Sequence, residues 1–476
     1  MRPPSVDAVL RAAEADARDL DERDRVAVLD VARAVIAEER VAIASGAMPR
    51  TAASLAAELL ARLEALVAGD LVPEADGGLV PVINATGVIL HTNLGRAPWA
   101  AAAIDAARRA ATAPSMLELD ADTGRRGRRF AGVEEEVIAL TGAEAALVTN
   151  NNAAAVALAV GLAKRGGIAV SRGELVEIGG GVRIPELVKR AGARLVEVGT
   201  TNRTRVADFE SVLADGTASV VLRVHPSNFS QTGFVEAPEA AAVAAAAHRH
   251  GAIVIDDLGS GALLDTERFD LDHEPTPRER LEAGADLVTF SGDKLVGGPQ
   301  AGIIAGRSDL VERLRRDPLA RAMRPDKVML AALAATLRLY RAGVAATTIP
   351  IWRQIGATPD ELDRRVSDVL AELASGPPLA RPDDPTHVTL SAVTTESTVG
   401  GGSLPGQVLP SWALSIAGPA PQKVLAALRA GTPAIVGRVV DDAVLLDLRT
   451  VDPEDDANLA PAIRAAIEAV PPRARR

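Results

Sequence analysis

Apolar residues recur at three- and four-residue spacing over 6–17, 22–42 and 52–68, which predicts three amphipathic helices. Gly46, Pro49 and Gly69 punctuate them. Pro73-Glu74-Ala75-Asp76-Gly77-Gly78 then reads as a linker. From there the pattern changes. Short apolar runs at 145–149, 168–170, 194–198, 219–223, 252–255, 286–290 and 302–305 predict buried strands, with helical stretches such as 153–165, 184–191 and 237–250 between many of them. That alternation predicts an α/β domain on a mostly parallel sheet, with ligands at the strand carboxyl ends. Beyond 341 the pattern gives helices at 358–375, 421–430 and 460–469, strands at 413–416 and 443–447, and a turn at Gly400-Gly401-Gly402. The expected organisation is a helical N-terminal domain (1–78), a catalytic α/β domain (79–340) and a small C-terminal α+β domain (341–476).

Composition narrows the class. The chain has 476 residues, 48% hydrophobic and 24% charged, enough for two or three well-cored domains. It has no cysteine, which excludes disulfides, thiolate metal sites and a cysteine nucleophile and fits a cytoplasmic setting. The start lacks the apolar run of a signal peptide, and no stretch reads as a membrane span. A formal net charge of −11 argues against indiscriminate nucleic-acid binding, although a local basic surface can still engage RNA. Nothing pairs the six histidines at metal-ligand spacing, so no metal site is expected.

Arginine does nearly all the cationic work. The five lysines are Lys164, Lys189, Lys294, Lys327 and Lys423. Lys294 stands where an apolar strand ends in Ser291-Gly292-Asp293-Lys294 and opens into a glycine-rich turn. A primary amine there can form a Schiff base, which guanidinium cannot, so pyridoxal phosphate is the candidate cofactor. Asn150-Asn151-Asn152 follows another strand and opens a helix, where free amides make a phosphate cradle; taken alone, the triplet is more simply an N-cap with extra turn asparagines. Asp256 ends a buried strand and is the preferred partner for a pyridine nitrogen, with Asp257 the alternate. Ser227 and Asn228, in His225-Pro226-Ser227-Asn228-Phe229, are candidates for the phenolic oxygen, unless this is a plain turn. Arginine clusters at 125–129 and 313–324 read either as solvated faces or as anion sites. Phosphate loop, acid and lysine come in the order of the aspartate-aminotransferase fold type, and the joint match is more specific than any member.

Several longer motifs carry a family resemblance. The run Pro81-Val82-Ile83-Asn84-Ala85-Thr86-Gly87-Val88-Ile89-Leu90-His91-Thr92-Asn93-Leu94-Gly95-Arg96 resembles the entry motif of bacterial selenocysteine synthases, the L-seryl-tRNA(Sec) selenium transferases. So do Thr141-Gly142-Ala143-Glu144 leading into Asn150, the run from Ser171 to Gly180, the Lys294 motif, and Arg321-Ala322-Met323-Arg324-Pro325-Asp326-Lys327. The resemblance implies a pyridoxal-phosphate transferase of fold type I that acts on seryl-tRNA(Sec). Hydroxide would leave the seryl β-carbon to give aminoacrylyl-tRNA, and selenium from selenophosphate would add there. It implies that Lys294 carries the cofactor and then serves as general base, that Asp293 matters for activity, and that Arg96, Arg129 (or Arg126), Arg321 and Arg324 bind the selenophosphate anion. It also implies tRNA binding by the N-terminal helices, although residues 1–80 hold more acids than arginines, and a homo-oligomer, commonly a homodecamer. Two rivals remain at this stage. One is a related pyridoxal-phosphate lyase acting on a small amino acid or amino sugar, which would not need the helical domain. The other is a noncatalytic RNA-binding protein on a decayed fold, against which the intact lysine motif argues.

Overall fold

The computed structural model describes residues 2–16, 25–68, 79–129, 131–163, 166–178, 181–227, 229, 231–377 and 388–470. The expected linker at 73–78 lies outside the described residues, as does Asn228. Among the described residues no helix is long and apolar enough to cross a membrane. The chain divides into two compact units, Met1–Pro81 and Val82–Arg476.

The first unit holds helices Val6–Asp16, Arg25–Ala44 and Ala52–Ala68. Their apolar stripes meet through Val9, Val28, Val35, Ile36, Leu55 and Leu59, all buried. Glu39 is buried among them, and a buried carboxylate needs partners. It accepts from the Arg50 backbone amide at 2.8 Å and from Arg50 Nε at 2.7 Å.

In the second unit the strands are, in chain order, β1 (Val82–Asn84), β2 (Val88–Leu90), β3 (Ala145–Thr149), β4 (Gly167–Ser171), β5 (Glu177–Ile178), β6 (Val182–Arg183), β7 (Arg194–Val198), β8 (Val220–Val224), β9 (Ile253–Gly259), β10 (Leu287–Ser291) and β11 (Gly302–Gly306). Then follow β12 (Thr389–Gly400), β13 (Val408–Ala417), β14 (Ala434–Val436), β15 (Arg438–Val440) and β16 (Ala443–Asp447). The main sheet has the order β3-β11-β10-β9-β8-β4-β7. Neighbours from β10 through β7 pair parallel, and β11 runs antiparallel to both β10 and β3. Strands β3, β4, β10 and β11 are buried along their whole length, as expected where both faces of a parallel sheet are covered. This is the α/β architecture that the strand–helix alternation predicts.

A second sheet, β15-β16-β13-β12-β2, has its own core with helices Pro359–Ser375, Pro421–Ala430 and Asp456–Glu468. Two features cross the expected boundaries at 79 and 341. β2 pairs with β12, and β1 pairs with β14, so residues 82–90 serve the strands of the last region. Conversely, Ile349, Ile351, Trp352 and Ile355 join the core of the main sheet. Strand β12 itself is absent from the sequence reading. It is rich in threonine and serine, and it is held by pairing to β13 over Thr389–Thr398 rather than by an apolar run.

Candidate functional site

Lys294 lies just beyond β10, at the carboxyl ends of the parallel strands. Its amine is buried in a cavity of about 340 Å3 lined by Arg96, Asn152, Ser227, Asp257, Ser291 and Gly402, among others. Nζ sits 3.4 Å from the Gly402 carbonyl. Gly402 has φ +85°, and a Cβ there would come within 2.5 Å of Nζ, so the turn after β12 needs glycine to approach the lysine. Burial holds the Lys294 pKa below its ordinary value of 10.5, and the Arg96 charge adds to this. Asp257, Asp293 and Glu274 pull the other way without cancelling it. A desolvated lysine is neutral nearer neutral pH, as a nucleophilic amine must be.

The turn that presents Lys294 is fastened from behind. The Tyr340 hydroxyl lies 2.9 Å from both the Leu295 and Val296 carbonyls, and Trp352 Nε1 donates to the Tyr340 oxygen at 2.7 Å. Desolvation drives the phenol pKa up, so it stays a neutral donor. Tyr340 is the single tyrosine of the chain and sits on the buried face of helix Lys327–Arg341. The sequence reading passed over it, although a lone tyrosine on an apolar helical face was a usable signal.

The acid that lines the lysine cavity is Asp257, the alternate, rather than the preferred Asp256. Side chains alternate across a strand, so neighbouring residues of β9 face opposite ways. Asp257 lines the lysine cavity and Asp256 lines a second one. Asp257 sits beside Thr289 in the parallel register, and its Oδ1 accepts from Thr289 Oγ1 and Asn152 Nδ2, each at 2.8 Å. Its Oδ2 has no hydrogen-bond partner among the described residues. Desolvation raises the Asp257 pKa, against the lowering effect of those two hydrogen bonds.

The asparagine triplet separates too. Asn151 is the N-cap of helix Asn152–Val160, accepting from the Ala154 amide at 2.9 Å. Asn151, Asn152 and Ala153 line the cavity, while Asn150 is exposed, outside the lining, with its amide donating to the Met323 carbonyl at 2.8 Å. The first-turn amides of this helix lack intrahelical acceptors and suit an anion.

Of the expected anion-binding arginines, only Arg96 lines the lysine cavity. It has φ +64°, and its Nη1 donates to Asp293 Oδ2 at 2.7 Å. Arg129 and Arg324 instead face Glu118 Oε1, at 3.2 and 3.5 Å, and Arg126 donates to Oε2 at 2.6 Å. Their hydrogen bonds and charges, Arg129's foremost, hold the Glu118 carboxyl below the usual range. Arg321 is exposed on the short helix Pro318–Ala322. Within one chain the four do not converge. Gln300, Thr92, Val176 and His225 also line the cavity and were not singled out as site residues. Elsewhere, ligand atoms of the exposed Asp265, Glu267 and His273 come within 4.8 Å of one another, a kind of surface grouping that is common without an ion.

Taken together, the cavity fits a planar, phosphorylated pyridine bearing an aldehyde. It has an amine for the carbonyl, an open carboxylate oxygen for the ring nitrogen, and a helix N-terminus for the phosphate. Asn152 Oδ1, buried without a partner among the described residues, marks a polar position that these residues leave unfilled.

The chain is similar to known proteins along nearly its whole length. A curated L-seryl-tRNA(Sec) selenium transferase from Hyphomonas neptunium is 41% identical over 469 residues, covering 97% of this chain and 97% of that protein. One from Moorella thermoacetica is 43% identical over 475 residues, covering 98% and 96%. The solved structure of D-glucosaminate-6-phosphate ammonia-lyase superposes with a TM-score of 0.56 at 23% identity, over 82% of this chain and 96% of that one; this supports the fold alone. Residues 82–452 match the family model described as SelA, L-seryl-tRNA selenium transferase, and the chain belongs to that family.

Proposed function

We propose that this protein converts L-seryl-tRNA(Sec) to L-selenocysteinyl-tRNA(Sec), with pyridoxal phosphate on Lys294 and selenophosphate as selenium donor. The observation that carries the reading is the meeting of three groups in one cavity of a chain of this family: a buried amine of lowered pKa, a carboxylate with one open oxygen, and a helix N-terminus. Asn151, Asn152 and Ala153 would hold the phosphate, Asp257 the pyridine nitrogen, and Ser227 and Ser291 supply further hydroxyls at the wall. When bound, pyridoxal phosphate supplies the electron sink that makes the seryl α-proton acidic.

The chain's own groups do the rest. Lys294, once free as a neutral amine, takes the α-proton. The proton that Lys294 takes would then pass to the departing β-hydroxyl, so that water leaves, and Asp293, held by Arg96 beside the lysine, would orient that transfer. Arg96 then offers a cationic donor to the selenophosphate anion beside the same carbon. The Met1–Pro81 helices are assigned to tRNA, through shape and a few exposed arginines rather than net charge. The family model match begins only at residue 82, so this assignment is separable from the chemistry.

The test is conversion of seryl-tRNA(Sec) by purified protein with pyridoxal phosphate and selenophosphate, with ordinary seryl-tRNA as control. Selenocysteinyl product from the first substrate only is expected. Absence of that product with active donor and substrate overturns the reading.

A further inference from the structure

A second cavity, of about 380 Å3, opens beside the lysine cavity, a size that suits a small ligand. Val224 and His225 line both, so the two share a wall. Among the charged residues that line the second cavity, two pairs of opposite charge differ. Glu174 is fully engaged: Oε1 accepts from Arg223 Nε at 2.8 Å and Oε2 from the Val224 amide at 3.2 Å. Asp256 and Arg280 are not. Arg280 Nε lies 3.7 Å from Asp256 Oδ2, beyond hydrogen-bond range, and that buried Nε has no partner among the described residues. Asp256 is 4% exposed and likewise accepts no hydrogen bond from a described residue. A buried carboxylate and a buried guanidinium nitrogen left so are costly unless something else engages them, although the rest of the Arg280 side chain is part-exposed. Phe229, Val235, Pro226 and Pro238 give the same cavity apolar walls.

An acceptor and a donor side by side, between apolar surfaces, match the edge of a planar heterocycle that carries an amino group next to a ring nitrogen. Adenine has that edge: its N6 amine would donate to Asp256 and a neighbouring ring nitrogen would accept from Arg280. Hypoxanthine, which has a carbonyl oxygen in place of that amine, would put the oxygen against the carboxylate. Resting on the function proposed above, the substrate's seryl group is esterified to the ribose of a terminal adenosine. With the serine at Lys294, the cavity that adjoins it at Val224 and His225 is the neighbouring space for the base. The geometry points to the second cavity as the seat of the terminal adenine of the aminoacyl-tRNA, read by Asp256 and Arg280.

The probe is 3′-deoxy-3′-(L-serylamino)adenosine, a stable analogue of the esterified tRNA end, with its inosine counterpart as control. Binding to the full-length, cofactor-loaded protein is followed by calorimetry. The adenosine compound should bind about tenfold more tightly than the inosine one, the scale of one matched base-edge contact. Arg280→Met and Asp256→Ala should each bring that ratio close to one, while L-serine amide, which has no base, binds both variants as it binds the wild type. Equal affinity for the two nucleosides in the wild type, or an unchanged ratio in both variants, overturns the assignment. Conversion of seryl-tRNA(Sec) on the same preparation judges the reaction separately. Conversion without base preference removes the adenine site alone, and base preference without conversion supports the site while removing the reaction.

Discussion

Two consecutive residues of β9 open onto two different cavities, and their surroundings are unlike. Asp257 is braced by Asn152 and Thr289 and leaves one oxygen to the lysine cavity. Asp256 stands on the same strand and is as deeply buried, yet among the described residues it accepts no hydrogen bond and faces Arg280 Nε at 3.7 Å. The register explains the difference. Beside Asp257 stand the uncharged Thr289 of β10 and Val224 of β8, and the Thr289 hydroxyl orients the carboxylate. Beside Asp256 stand Val288 and Arg223, and Arg223 is already committed to Glu174. A step of one residue along a strand exchanges one site for another.

The largest effect should come from exchanging those acids. Asp257→Asn removes the charge that would oppose a protonated pyridine, and kcat should fall on the order of 10²- to 10³-fold, as when one preorganised electrostatic partner is lost. Asp256→Ala should act mainly on KM for seryl-tRNA, raising it about tenfold, with kcat much less affected. Steady-state kinetics of the two variants side by side checks this. A collapse of kcat in Asp256→Ala with Asp257→Asn nearly normal would reverse the assignment of the two cavities.

A smaller effect isolates the bracing of Asp257. Asn152→Ala removes one of its two donors and leaves Thr289, and a lost hydrogen bond to a buried carboxylate costs about 1–3 kcal/mol. Pyridoxal phosphate affinity should drop by roughly tenfold or more, read by equilibrium dialysis. Asn150→Ala, at the exposed position outside the cavity, should leave that affinity unaltered. Equal losses from both substitutions would return the whole triplet to the phosphate site.

How much of this was legible beforehand follows from what each signal depends on. Lys294 was readable because an amine in an arginine-rich chain, at the end of an apolar run, is a local pattern. The strand that carries the two acids was readable for the same reason. Which acid faces the lysine was not, because that rests on the position of β9 between β8 and β10, and apolarity on both faces removes the alternation that would have shown it. The pairing of Arg129 and Arg324 with Glu118, and the union of β2 with β12 across more than 300 residues, depend on long-range contacts that no sequence window contains. The glycines at 401–402 were read as a turn; their closeness to Lys294 is a property of the assembled fold.

The gentlest test concerns the charge balance of the lysine cavity itself. In the protein freed of pyridoxal phosphate, the folded-state pKa of Lys294 lies below the ordinary 10.5, chiefly through burial. Below that lowered value the amine is protonated in both the folded and unfolded chains, and the folded state bears a constant cost for the buried charge. Between the lowered value and 10.5 the unfolded chain holds a proton that the folded chain does not. Stability therefore rises with pH across that window, by up to about 1.4 kcal/mol per pH unit. Lys294→Met fills a similar volume without a charge, so it should be more stable than the wild type at low pH, with the gap closing as pH rises through the window. Urea unfolding of both proteins from about pH 6 to about pH 10 reads the difference, and the other titrating groups cancel between them. A gap that stays constant across this range would mean that Asp257, Asp293 and Glu274 hold the amine protonated, and that the lysine cavity, like its neighbour, is built around an ion pair rather than a free nucleophile.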